Sequence, residues 1–135
     1  MKFFTLITSA ILLASSCNGD DPSPVQYTNN WNLINVSGGF GGFDSDFEPG
    51  SITWSFNNDN STITVVNNNT DQTAEDFFDS GNYSFTIAAD ENLCPQFLTA
   101  NEMEIGCIDL SNEGETMVIK QLHIADGFTL TFKKS

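Results

Sequence analysis

Residues 50–66, Gly-Ser-Ile-Thr-Trp-Ser-Phe-Asn-Asn-Asp-Asn-Ser-Thr-Ile-Thr-Val-Val, constrain what the chain can fold into more than any other stretch. Ile52, Trp54 and Phe56 alternate with Ser51, Thr53 and Ser55, a period of two that places three large apolar groups on one face of a strand. Asn57, Asn58, Asp59 and Asn60 follow; such residues bond their own backbone and tolerate left-handed conformations, so the chain reverses there. Ile63 and Val65 then alternate with Thr62 and Thr64. The product is a β-hairpin with one apolar and one polar face, which is not stable alone and must be buried against more sheet.

The remainder reads as the strands that bury it. A first strand covers residues 31–37, and residues 38–50 form a long glycine-rich, acidic loop. A second long connection covers 67–81, where Thr73-Ala74-Glu75-Asp76 can cap a single helical turn ahead of Phe77 and Phe78. Residues 82–88 form a strand with Tyr83, Phe85 and Ile87 on one face. Residues 116–121 form another. Asp126-Gly127 is a turn signal, and Phe128, Leu130 and Phe132 alternate with Thr129, Thr131 and Lys133 in the last strand.

At the N-terminus, Lys2 precedes an apolar run over residues 3–13, too short for a bilayer-spanning helix but suited to an export signal. The run ends in Leu13-Ala14-Ser15-Ser16-Cys17, which resembles a bacterial lipoprotein signal, although Ala14 stands where the commonest pattern has Leu. The resemblance implies cleavage after residue 16 and lipid on Cys17, with residues 17–28 as a tether stretched by Pro22 and Pro24. Asn18-Gly19-Asp20-Asp21 resembles the acidic tag that sends some lipoproteins of Bacteroidota to the cell surface; the resemblance implies that Asp20 and Asp21 are export determinants, with a solvated tether as the plain alternative. The expected location is the outer membrane, lipid-anchored, with the domain of residues 29–135 facing outward.

Charge narrows the partners. The chain carries eighteen Asp and Glu against four Lys and no Arg, a net charge of −14, and removal of the signal takes away one of those lysines. Nucleic acid is excluded, because affinity for it comes from Lys and Arg neutralising phosphates. An anionic lipid surface would repel the domain, so membrane attachment falls to Cys17.

With Cys17 on lipid, Cys94 and Cys107 remain as an even pair in an oxidising compartment. A reversal centred on Ala100-Asn101 pairs each residue i with 201 − i, which sets Cys94 opposite Cys107 at a closely spaced, non-hydrogen-bonded position suited to a disulfide. Pro95 then falls at a hydrogen-bonding position, so a bulge or sheet edge is required there. The alternative is two buried thiols.

Eight strands joined mostly by short turns predict an all-β, antiparallel up-and-down barrel, with a β-sandwich as the alternative. The Trp31-Asn32-Leu33 opening, the Trp54 hairpin and the closing Asp126-Gly-Phe-Thr-Leu-Thr-Phe132 resemble the small lipocalin-like lipoproteins of flavobacteria. That resemblance implies the same barrel over most of residues 31–133 and a binding rather than catalytic role.

Catalytic chemistry has little to work with. His123 is the only histidine and is expected on the surface, and there is no Gly-x-Ser-x-Gly elbow. A two-carboxylate hydrolase is the third functional reading, since acids are plentiful. Asp44, Asp46 and Glu48 stand at i, i+2 and i+4, a spacing that lets a curled loop present oxygen ligands to calcium, with a solvated acidic loop as the plain alternative. No other cofactor is expected. Trp54, Phe56, Tyr83, Phe85 and Phe132 point inward, where they either line a pocket for a small apolar ligand or fill the barrel. Aromatics of that size in a short chain favour filling. The expected function is therefore binding of a protein or glycan through loops 38–50 and 67–81, with carriage of a small hydrophobic ligand as the alternative.

Overall fold

The computed structural model describes residues 30–135 and contains no helix among them. The signal peptide, Cys17, the tag residues Asp20 and Asp21 and the tether lie outside the described residues. Nine strands follow in order: β1 Asn30–Gly38, β2 Phe43–Asp46, β3 Ile52–Asn57, β4 Thr62–Asn67, β5 Gly81–Asp90, β6 Cys94–Ala100, β7 Met103–Ser111, β8 Thr116–Lys120 and β9 Phe128–Lys134. From β3 to β9 each strand pairs antiparallel with the next, and β9 returns to pair with β1, which closes the sheet. β3 pairs with residues 30–32 of β1, and β2 with residues 35–38, so the two lie end to end on one edge of β1. The result is an eight-stranded up-and-down barrel with one extra short strand, and not a sandwich.

Period-two patterning sends the expected residues inward. Ile52, Trp54 and Phe56 of β3 face Ile63 and Val65 of β4, and all five are buried. On β1, Trp31, Leu33 and Val36 are buried, an inward set that changes parity because the register with β9 shifts between Leu33 and Asn35. That bulge adds one residue and keeps both halves of the strand facing the core.

Strand direction fixes the two ends. One gathers Asn30, the C-terminus and the turns 58–61, 91–93 and 112–115. The opposite end gathers the connections 39–42, 68–80, 101–102 and 121–127. The long connections thus lie away from the point where the N-terminal segment enters.

Three expectations are corrected. The stretch 38–50 is not one loop, because β2 lies within it, paired through Asn35↔Asp46 to Gly38↔Phe43. Residues 73–76 form no helical turn; Asp71 instead accepts hydrogen bonds from the Thr73 hydroxyl and amide and holds a bend. The 201 − i register also fails, since Ala100 pairs with Met103 and Phe97 with Cys107. Asn101 and Glu102 both adopt positive φ, 52° and 62°, so the two-residue turn sits one position later, in the conformation that matches strand twist. The register then shifts once more around Gly106, whose φ is 144° and where a Cβ would collide with the Lys120 carbonyl.

The disulfide forms even so. Cys94 and Cys107 are bridged with their Cα atoms 6.0 Å apart, although Cys107 lies opposite Phe97. Pairing with β7 begins only at Phe97, and the register with β5 shifts between Ala88 and Asp90, so Pro95 sits beside the irregularity it requires.

Candidate functional site

Four of the five inward aromatics converge on one another, and Tyr83 joins them through Phe78. Trp54 and Phe132 have no exposed surface, and Phe56 and Phe85 are buried. Trp54 lies 4.9 Å from Phe132 and 6.5 Å from Phe56, and Phe56 meets Phe85 edge-on at 5.3 Å. Tyr83 is half-buried and donates its hydroxyl to the Asp79 carbonyl. Leu33, Leu98, Ile105, Met117 and Leu130 are likewise without exposed surface. A side chain with no exposed surface has no water-sized space beside it, so the centre of this barrel is packed like an ordinary core. The indole N–H groups of Trp31 and Trp54 are buried within it without a hydrogen-bond partner.

The 68–80 connection closes the mouth. Phe78 is buried, stacked on Tyr83 at 4.5 Å and tilted against Trp54 at 5.3 Å, while Phe77 meets Phe128 edge-on at 5.7 Å. Asn67 fixes the segment by donating its amide to Asp76 Oδ2 and to the Phe78 carbonyl, both at 2.9 Å. Asn69 adds bonds to Asp76 Oδ2 and the Asp71 carbonyl. The Thr73 hydroxyl, and after it the Thr73 amide, hold the Asp71 carboxyl below its ordinary range. This connection is a built element whose outer side carries the exposed Asp71, Gln72, Glu75 and Asp79.

Beside it, the 39–42 turn projects Phe40, which is 88% exposed, ahead of the half-exposed Phe43. Asn35 donates its side-chain amide to Asp44 Oδ1 at 2.7 Å and Asp46 Oδ1 at 2.9 Å, which fastens both carboxylates to β1. Asp44 and Asp46 are therefore brought together, on strand and not on a curled loop. Glu48 does not join them: among the described residues no group of three or more His, Cys, Asp or Glu gathers as metal ligands.

His123 departs from its expected place on the surface. Its side chain is mostly buried, edge-on to Phe97 at 5.3 Å, with Nε2 3.9 Å from Glu104. Phe97 and Cys107, paired across β6 and β7, lie on the outer wall with the disulfide, and the 121–127 connection folds over them. The disulfide in this cluster ties β6 to β7.

Sequence reasoning missed Phe78 as the closing group, and Asn35 as the link to Asp44 and Asp46. A paired Phe77-Phe78 in an otherwise polar connection was the available signal for the first. Comparison with protein-family models, curated proteins and solved structures returned no match.

Proposed function

We propose that the chain is a cell-surface lipoprotein, anchored through Cys17 to the outer membrane, whose barrel is a non-enzymatic binding module. It acts through the connections within residues 38–50 and 67–81, on a protein or glycan, with Asp20 and Asp21 directing display. One observation carries this reading: the interior is filled by Trp54, Phe78 and Phe132, while the long connections gather at the end opposite Asn30. A filled barrel leaves its outer surface for recognition. A tether entering at the other end would hold that surface away from the membrane, and lipid on the anchor cysteine suits stable attachment. Carriage of a small apolar ligand would require Phe78 to leave and the core to open, and a hydrolase would require a concave pair of acids.

The test places a photo-activated cross-linker on cells expressing the protein natively. At Gln72 it is expected to capture a specific partner, and at Asp59 or Glu113, on the anchored end, it is not. Equal capture from both ends would overturn the reading. Cys17→Ala is expected to release the protein from the membrane fraction.

A further inference from the structure

The free edge of β2 carries the inference. Phe47 donates its amide to the Ile34 carbonyl at 2.9 Å, continuing the register that pairs Asn35 with Asp46 and Val36 with Ser45. Antiparallel ladders alternate bonded and unbonded pairs. Phe43, Ser45 and Phe47 therefore turn their backbone groups toward β1, and Asp44 and Asp46 turn theirs away from it. β3, which shares that edge of β1, continues along its far side with β4, whereas β2 pairs with β1 alone. By that alternation the backbone N–H and C=O of Asp44 and Asp46 make no ladder bond to β1 and face the outer edge.

We propose that this edge is a docking site for an extended, cationic segment of another polypeptide, which adds to β2 as a further strand. The proposal rests on the binding-module reading above and names where the module binds and what it takes. Exposed edges with unpaired N–H and C=O groups recruit strands, with the backbone supplying affinity and the side chains supplying choice. Here the choice is electrostatic. Val36 is buried and faces Ser45, so Asp44 and Asp46 project to the outer face, with the exposed Glu48 following. An added strand would set its own outward residues beside these carboxylates, where Lys or Arg is favoured and Asp or Glu is not. A second copy of this chain is disfavoured by the same rule, since β2 against β2 would oppose acid to acid in a chain of net charge −14. Phe40 and Phe43, exposed at the start of β2, offer an apolar contact to one end of the segment.

The test uses the full exported protein and a short synthetic peptide alternating Lys with Thr, beside the same peptide with Glu for Lys. In amide exchange without peptide, Ser45 is expected to be protected while Asp44 and Asp46 exchange freely; the lysine peptide is expected to protect both. Asp44→Pro removes an outward-facing donor at an edge, where proline is tolerated, and leaves the pairing with β1 intact. It is expected to weaken the lysine peptide at least ~tenfold beyond the loss in Asp44→Ala, which keeps the backbone donor. Equal binding by Asp44→Pro and Asp44→Ala, equal binding of the Glu peptide, or protected Asp44 and Asp46 amides before peptide is added would each overturn the proposal. If Asp44→Pro fails to fold, the exchange pattern of the wild type decides alone. Cross-linking at Gln72 that persists in a folded Asp44→Pro would sink the edge site and leave the binding-module reading standing.

Discussion

The ring of Phe78 lies 5.3 Å from that of Trp54, so the longest connection of the barrel reaches inward and completes the core it crosses. Phe78 is thereby a core residue carried on a loop. Phe78→Ala is expected to cost about 3–5 kcal/mol in denaturant unfolding, as for a phenylalanine removed from a packed site. Trp54→Ala is expected to cost a similar amount. A loss below about 1 kcal/mol at Phe78 would mean that the connection lies on the mouth without closing it.

The disulfide ties Cys94, which lies beyond the last β6–β7 pair, to Cys107, which is paired with Phe97. Closing a loop of thirteen residues' separation is expected to contribute roughly 3 kcal/mol in the chain-entropy model. Unfolding with and without reductant measures it, and alkylation of the unfolded, unreduced protein should find neither thiol free. A reduced protein as stable as the oxidised one would show the bridge to be energetically idle.

Much of this architecture is legible in the sequence because it follows from alternation. Ile52, Trp54 and Phe56, and later Phe128, Leu130 and Phe132, each present one apolar face, and such faces close into a barrel. What escapes alternation escapes the reading. Phe43-Asp44-Ser45-Asp46 holds one good strand former and would be a turn by composition; it is a strand because β1 offers it an edge and Asn35 holds its carboxylates. The β6–β7 register turns on Gly106, a bulge that no periodicity announces. His123 leaves the surface because the 121–127 connection folds onto Phe97, a tertiary contact without a local signal. The same limit hides the outer edge of β2, since direction alternates along a strand only once its partner is known.

Asp71 supplies a pH dependence of definite sign. Its carboxyl is held below the ordinary range by the Thr73 hydroxyl and then the Thr73 amide, so its folded pKa lies under its unfolded one. The stabilisation from this bend is present in full above the ordinary carboxylate range and is lost as pH falls through the depressed folded value. Carboxyl titration by NMR should place the Asp71 midpoint below that of an unstructured aspartate, and Thr73→Ala should move it upward. A midpoint at or above the ordinary range in the wild type would remove the bond from the solution structure.

The claim on which the functional reading depends is that the barrel has no room for a ligand. Titration of the full exported protein with a fluorescent fatty acid, followed through both the probe and the emission of the buried Trp31 and Trp54, tests it directly. The expected result is no saturable binding and unchanged tryptophan emission across the micromolar range. Saturable binding accompanied by altered tryptophan emission would contradict the account and make the barrel a carrier.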